Sequence, residues 1–190
     1  MIAIVCVYAR SAERGPVPDG VDIMTPATVQ SVFASDPQRR RVFEHFLRAS
    51  CTGVVRAQDG EWVSYGWMVS PTSKPVAHLG RFCRNNWWIF YCHTGENYRR
   101  RGYYRDTLTA LLRLTDMGPD GEATRVYIDV LSGNLPSRLA VQQMGFQAHG
   151  VVVAFRVRSR VVPLWWFRNA RHPALPQHLV DRSSPEQEET

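Results

Sequence analysis

The chain has 190 residues, 44% of them apolar, which fits one ordinary domain with short extensions. No apolar run approaches the roughly 20 residues that span a bilayer, and the first residues lack the basic start of a secretory signal, so membrane insertion and secretion are not expected. The four cysteines are scattered without a CxxC pair, which favours free thiols in a reducing cytoplasm over a zinc site or a disulfide framework.

The formal net charge of +6 comes almost entirely from arginine, since Lys74 is the single lysine among 23 basic residues. Arginine binds phosphate and carboxylate groups in a bidentate manner, so an anionic partner is expected. A GC-rich genome would produce the same bias without any function.

Apolar periodicity and turn signals predict the elements of the first half of the chain. They are strands at residues 2–8 and 21–24, a helix that begins at residues 25–26, a helix at 39–49, and strands at 52–57 and 62–69. Thr25-Pro26 and Asp36-Pro37 each place a capping residue before a proline at the first helical position. Asp59-Gly60 favours a tight hairpin turn between the last two strands.

The second half alternates strands and helices more regularly. The predicted elements are a buried strand at 87–92, a helix at 103–116, a strand at 125–131, a short helix at 136–144 and a strand at 151–157. The helix at 103–116 has one apolar face, formed by Tyr104, Leu108, Leu111 and Leu112. This order predicts a mixed α/β sheet with a βαβ crossover in its second half.

We expect one domain over residues 1–157, a C-terminal extension over 158–182 and a disordered acidic tail over 183–190. The extension is rich in aromatic residues around Trp165, Trp166 and Phe167. It either packs on the body, pairs two subunits or touches a membrane surface, and packing or pairing is favoured.

A chemically distinctive segment reads YRRRGYYR, residues 98–105, and it lies where a strand runs into a helix. The first N–H groups of a helix have no intrahelical partner, and the helix dipole adds positive charge there. Gly102 allows a bound oxygen to come close to the backbone, and Arg99, Arg100 and Arg101 add charge-assisted hydrogen bonds. We therefore interpret this turn as a phosphate site rather than a solvated patch.

Two motifs together resemble the GNAT superfamily of N-acetyltransferases over roughly residues 50–157. The coenzyme A loop of that family reads Q/R-x-x-G-x-G/A at a helix start; Arg99 and Gly102 match it, whereas Tyr104 replaces the final small residue. The second motif is a strand that ends in carboxylate–Val–x–x–x–Asn, followed by a helix that closes with Gly-Phe. The matching residues are Asp129-Val130, Asn134, Ser137 and Gly145-Phe146.

The resemblance implies an α/β (mixed α+β) GNAT-like fold, whose mostly antiparallel sheet has splayed central strands and flanking helices. It implies transfer of an acetyl or related acyl group from acetyl-CoA or another acyl-CoA to the amine of a small metabolite, by direct attack in a ternary complex and without a metal. The implied donor-binding residues are Cys92, Thr94, Arg99, Arg100, Arg101, Gly102, Tyr103, Tyr104, Asn134 and Ser137. The pyrophosphate would bind at residues 99–104, and pantetheine would pair with the main chain near Cys92 and Thr94.

Deprotonation of the amine requires a base. Asp129 occupies the position at which some family members carry a basic glutamate, and His93 is a second candidate. Either residue could instead be structural. The family usually places a proton-donating tyrosine where this chain has Val141. The candidates to replace it are Tyr103, Tyr104 and Cys92, unless the thiolate leaves unassisted.

Two other functions remain open from the sequence. The same fold could use aminoacyl-tRNA or an acyl carrier protein as the donor, since the arginines at 39–41, 99–101 and 156–160 would suit RNA. A non-catalytic CoA-binding regulatory module would explain Val141. The acceptor pocket shows no motif, although Arg81 and Arg84 would suit an acidic acceptor. A homodimer and a cytoplasmic location are further expectations.

Overall fold

The computed structural model describes residues 2–12, 15–71, 73, 86–115, 125–157 and 160–174. The strands are β1 Ile2–Ser11, β2 Asp22–Ile23, β3 Thr52–Gln58, β4 Glu61–Val69, β5 Trp87–Thr94, β6 Arg125–Leu131, β7 Gln147–Val157 and β8 Arg160–Arg168. They form one sheet in the spatial order β2-β3-β4-β5-β6-β1-β7-β8, antiparallel throughout except for the parallel pair β5 and β6. The predicted acidic tail at 183–190, Arg81 and Arg84 lie outside the described residues.

In the described residues, four α-helices flank the sheet: α1 Pro26–Val32, α2 Pro37–Arg48, α3 Tyr103–Arg113 and α4 Leu135–Gln143. The two predicted capped starts are confirmed, because the side chains of Thr25 and Asp36 accept hydrogen bonds from backbone N–H groups of the first turns of α1 and α2. Within the described part of the chain, no helix combines the length and the apolar character needed to cross a bilayer.

The predicted elements are present, and their bounds differ by a few residues. The clearest difference is β7, which begins at Gln147 rather than at residue 151. Its first residues pair with β1, Gln147 opposite Ala9 and Ala148 opposite Tyr8. Pairing with a distant strand leaves no local apolar pattern, so the sequence could not show it.

The sheet separates two apolar cores. The first core packs α1 and α2 against the sheet and contains Phe33, Phe43 and Trp67, all fully buried. The second core lies under α3 and α4 and contains Leu108 and Val141. We call the two sides of the sheet the α1/α2 side and the α3/α4 side.

A βαβ crossover places the central strands side by side. β5 leads through α3 into β6, and the two strands pair in parallel over three positions, from Trp87 opposite Val126 to Ile89 opposite Ile128. Beyond these positions the register of the pair ends, and the two strands diverge toward their carboxyl ends. A gap therefore opens between the two strands.

The segment after residue 157 continues the same sheet, since β8 pairs antiparallel with β7. The two chains approach closely at Gly150, where an added Cβ would lie 2.4 Å from the carbonyl oxygen of Phe167. Trp166 packs edge-on against Trp88 on the α1/α2 side, with ring centroids 5.7 Å apart. The predicted domain boundary at residue 157 stays a prediction.

The chain beyond β8 folds back onto the α3/α4 side, where the buried Arg138 and the partly buried His172 fix it. Arg138 of α4 donates hydrogen bonds to the Tyr8 hydroxyl (3.2 Å) and to the carbonyl oxygens of Ser132 (3.1 Å) and Pro173. His172 Nε2 lies 2.9 Å from the Val7 carbonyl oxygen and 2.8 Å from that of Gly150. Both neighbours are acceptors, so Nε2 carries the proton and donates it.

Acidification should destabilise the fold through His172. Burial lowers the pKa of His172, Arg138 lowers it further, and the two backbone hydrogen bonds act in the opposite direction. The unfolded chain therefore binds more protons, and the free energy of unfolding should fall as the pH drops below the ordinary value of 6.5. His172→Gln should make this pH dependence shallower in urea unfolding between about pH 5 and 8; an unchanged slope would contradict the role of His172.

Candidate functional site

The gap between β5 and β6 originates in a bulge of β5. Tyr65 of β4 pairs with His93, whereas Trp67 pairs with Phe90, so two residues of β5 face the single Gly66 of β4. Tyr91 takes a positive φ of 53° at this point. A bulged strand bends and twists, which carries the end of β5 away from β6.

Gly66 is required for this arrangement by space rather than by its own backbone angles. A Cβ at this position would lie 2.9 Å from Cys92 Sγ and 2.9 Å from Thr107 Cγ2. The missing side chain therefore makes room for both the bulged strand and helix α3, which packs across it.

A cavity of about 200 Å³ occupies the gap. Its lining residues are Val5, Ile89, Phe90, Tyr91, Cys92, Tyr104, Ile128, Asp129, Val130, Leu131, Asn134 and Ser137. Phe90 belongs to the core on the α1/α2 side, whereas Ile89 and Ile128 belong to the core on the α3/α4 side. The cavity thus connects the two sides of the sheet.

Asp129 projects from β6 into the cavity and is held by a buried indole. The Trp88 Nε1–H donates a hydrogen bond of 2.7 Å to Asp129 Oδ1. Trp88 itself is fully buried and stacks on Tyr127 with ring centroids 5.2 Å apart. The carboxylate is therefore held in a fixed orientation.

Tyr104 lines the same cavity from the first turn of α3. Burial raises the pKa of Tyr104 strongly, the nearby Cys92 and Asp129 raise it further, and a hydrogen bond with the Ser137 side chain acts in the opposite direction. Burial also raises the pKa of the Cys92 thiol to about 12. Both groups therefore keep their protons at neutral pH, which makes Cys92 a poor nucleophile.

The arginine-rich turn leads directly into α3. Gly102 is the N-cap of α3 with a φ of 81°, and Arg100 also has a positive φ, of 64°. No side chain in the described chain caps α3, in contrast to the other three helices. A Cβ added at Gly102 would meet nothing within 4 Å, so the space over this helix start is open. The site can receive an anion such as a phosphate at the backbone N–H groups.

Two comparisons with known proteins bear on this geometry. The sequence model of the acetyltransferase (GNAT) family matches residues 21–146, more than half of the chain. The chain belongs to this family. No curated protein sequence matches it.

Among solved structures, the chain is similar to a GNAT-family protein from Novosphingobium aromaticivorans, with a TM-score of 0.51, 14% identity, and coverage of 80% of this chain and 63% of that one. It is also similar to a GNAT-family acetyltransferase from Colwellia psychrerythraea, with a TM-score of 0.50, 12% identity, and coverage of 78% and 54%. At these identities the similarity shows the fold alone. The chain spans only 63% and 54% of the length of these two proteins.

The predicted site residues of this GNAT protein fall into two groups. One group lines the cavity and consists of Cys92, Tyr104, Asp129, Asn134 and Ser137. The other group lies outside its lining and consists of His93, Thr94, Arg99, Arg100, Arg101, Gly102 and Tyr103. Residues 99–103 of this second group form the turn before α3 and its first residue.

His93 lies on the α1/α2 side of the sheet. Its ring is 5.5 Å from that of Trp62 and 5.8 Å from that of Tyr65. Partial burial lowers the pKa of His93, the charges of Arg39 and Arg99 lower it further, and Glu96 acts in the opposite direction. Neutral His93 is therefore favoured in this environment.

Two residues of the family motif on α4 have structural roles here. The Asn134 side chain accepts a hydrogen bond from the Ser137 backbone N–H (3.4 Å) and so caps α4. Val141, at the position of the usual tyrosine, is fully buried in the core and does not line the cavity. Two phenols do line the cavity, those of Tyr91 on β5 and Tyr104 on α3.

The structure adds residues that the sequence analysis missed. The Arg56 guanidinium lies 3.0 Å from Asp106 and 4.8 Å from the centroid of the Tyr103 ring, so it ties the first turn of α3 to β3. The arginines of the turn itself, residues 99–101, are exposed, and Arg99 is paired with Glu96 at 3.6 Å. Arg56 lies more than forty residues before this turn, and no local pattern links them.

A buried hydroxyl cluster joins the end of β5 to α3. The Ser64 hydroxyl is 2.9 Å from that of Thr94 and 2.8 Å from that of Thr107. Thr107 in turn donates a hydrogen bond of 2.9 Å to the Tyr103 carbonyl oxygen. The sequence signal for this cluster was the presence of two polar residues, Ser64 and Thr107, at buried positions of a strand and a helix.

Thr107→Val should lower the free energy of unfolding by about 1–3 kcal/mol, because it leaves the buried Ser64 hydroxyl with one partner fewer. Thr109→Val, the same change two positions later on α3, should cost less than about 0.5 kcal/mol. Urea unfolding of both variants measures the difference. Equal effects at the two positions would contradict the hydroxyl cluster.

Proposed function

We propose that this chain is an N-acyltransferase that transfers an acetyl or related acyl group from an acyl-CoA to the amine of a small metabolite, by direct attack in a ternary complex. One observation carries this proposal. The cavity connects the two sides of the sheet, with the anion-receiving turn and Tyr104 on the α3/α4 side and Asp129 beside Tyr91 in the same gap. A long thioester can thus enter from one side and meet an amine from the other.

The donor side supplies a phosphate site and an extended main chain. The pyrophosphate would accept hydrogen bonds from the first N–H groups of α3, over the open space at Gly102. Arg99, Arg100 and Arg101 would add positive charge from the exposed rim. β5 leaves β6 after Ile89, so its edge near Cys92 can pair with the amides of pantetheine.

Asp129 is the proposed base. The amine must lose a proton as its nitrogen attacks the thioester carbonyl carbon, and a carboxylate fixed in the cavity can accept that proton directly or through one water. The hydrogen bond from Trp88 to Oδ1 holds the carboxylate where it lines the cavity.

Tyr104 is the proposed partner of the leaving sulfur. As the new C–N bond forms, the C–S bond breaks and its electron pair goes to sulfur. The pKa of a tyrosine already exceeds that of a thiol, and burial raises the pKa of Tyr104 further. Its proton therefore stays mainly on the phenol, which donates a hydrogen bond to the thiolate. Coenzyme A then takes its proton from solvent.

The acceptor would approach from the α1/α2 side. Tyr91 is half exposed there, and Arg39 stacks over Trp62 at 4.5 Å beside His93. The positive charges of Arg39 and Arg99 act on His93, which supports an acceptor that carries a carboxylate. The Cys6, Cys51 and Cys92 thiols are free, in keeping with the cytoplasm, where acyl-CoA is available.

The proposal is tested by incubating the purified chain with acetyl-CoA and a panel of amines, with mass spectrometry of the products. We expect N-acetylation, fastest for amines that bear a carboxylate. Coenzyme A binding without any product would favour a regulatory module. Absence of coenzyme A binding together with co-purified nucleic acid would favour an aminoacyl-tRNA donor.

Asp129→Asn, which keeps the acceptor for Trp88, should lower kcat/KM about 100-fold and change the shape of its pH profile, with coenzyme A affinity retained. An unchanged rate and profile would remove Asp129 as the base.

Gly102→Val should weaken coenzyme A binding at least about tenfold by calorimetry, because valine is strained at a positive φ and fills the space over the helix start. Gly60→Val is a matched control, since Gly60 has the same φ of 81° and the same open surroundings in the β3–β4 turn. Both variants should lose about 1–3 kcal/mol of stability. A similar loss of affinity in both, or in neither, would refute the assignment of the turn.

Tyr104→Phe should lower kcat about tenfold or more while coenzyme A affinity changes little, because the hydrogen bond forms only as charge develops on sulfur. Tyr103→Phe is the neighbouring control, since that ring packs against Arg56 outside the cavity. Activity equal to wild type in Tyr104→Phe would remove Tyr104 as the partner of the leaving sulfur.

A further inference from the structure

Beyond α4, the α3/α4 side of the sheet carries large apolar side chains of β1, β7 and β8 at its surface. Their exposed fractions are 66% for Ile2, 40% for Ile4, 45% for Phe155, 48% for Val162, 61% for Trp165 and 52% for Phe167. Single exposed apolar residues are normal, whereas a contiguous group of this size marks an interaction surface.

The strand registers show that these side chains are contiguous. Ile2 lies opposite Phe155, which lies opposite Val162. In the next row, Ile4 lies opposite Val153, which lies opposite Trp165.

A third row pairs Val151 with Phe167. We call these three rows the β1–β7–β8 face. All eight of its positions are apolar, whereas Arg168, the next residue of β8 after Phe167, alternates to the opposite side of the sheet.

We infer that the β1–β7–β8 face is the contact surface between two copies of this chain. At the exposed fractions observed, the six exposed side chains present on the order of 100 Å² each, or roughly 600 Å² per copy. Two copies related by a two-fold axis would bury about 1,200 Å² in total, the lower end of the range for specific interfaces.

The composition of the face favours a second copy over other partners. A surface without charged or polar side chains has the character of a homodimer interface, which resembles a core divided in two. A membrane surface or RNA would require basic side chains within the contact, and the described positions of this face supply none. Two such faces can pack as sheet against sheet at about 10 Å.

The face also borders the candidate active site. The Ser132 backbone N–H donates a hydrogen bond of 2.9 Å to the Ile4 carbonyl oxygen, and the preceding Leu131 lines the cavity. A second copy would therefore stand close to the cavity. The inference itself rests on the surface alone, independently of the proposed reaction.

Sedimentation velocity of the full chain tests the inferred dimer. Wild type at micromolar concentration should have the mass of two chains. Trp165→Glu should weaken the dimer about thirtyfold or more, because it places a charge at a large aromatic contact. Ile23→Glu is the matched control, since Ile23 is also an exposed apolar strand residue, on β2 at the other edge of the sheet; it should leave the mass at two chains.

Ile2→Glu provides a second variant at the far end of the face, so that a folding defect in one variant does not decide the result. Circular dichroism and a thermal shift with coenzyme A confirm that each variant is folded, separately from its mass. A wild-type monomer at about 100 μM, or a dimer that both variants leave intact, would overturn the inference.

Discussion

The bulge of β5 against Gly66 is the constraint on which the candidate site depends. A regular strand here would continue its pairing with β6, and the sheet would close. Because two residues of β5 face one glycine, pairing ends at Ile89 and Ile128, and a gap opens through the sheet. The main-chain groups of β5 that lose their partners on β6 form an edge that can pair with a ligand.

Several tertiary contacts keep this gap in shape. The Ser64–Thr107 hydroxyl pair joins β4 to α3, and Arg56 joins β3 to the first turn of that helix. On the other side of the gap, Arg138 joins α4 to the Ser132 loop and to the C-terminal segment. Each flank of the cavity is thus fixed by buried polar contacts, the kind of support that a site with defined geometry requires.

The proposed chemistry divides between two helices and two strands in an arrangement that departs from the usual family pattern. The motif position on α4 contributes Val141 to the core, whereas Tyr104 on α3 presents a phenol to the cavity. The two departures from the motif are complementary: the bulky residue in the coenzyme A loop brings a phenol to the cavity, which the motif position on α4 does not. Burial raises the pKa of this phenol, which suits a hydrogen-bond donor more than a full proton donor.

The sequence by itself determined the order of the elements as far as β7, the capped helix starts at Thr25 and Asp36, the crossover and the family, because these depend on local periodicity and short motifs. It also named Asp129 and Tyr104, although not their common cavity. The bulge at Tyr91, the Trp88–Asp129 hydrogen bond and the hydroxyl cluster were decided only by the tertiary structure. They join residues far apart in the chain, and such contacts depend on register and packing that no local pattern records.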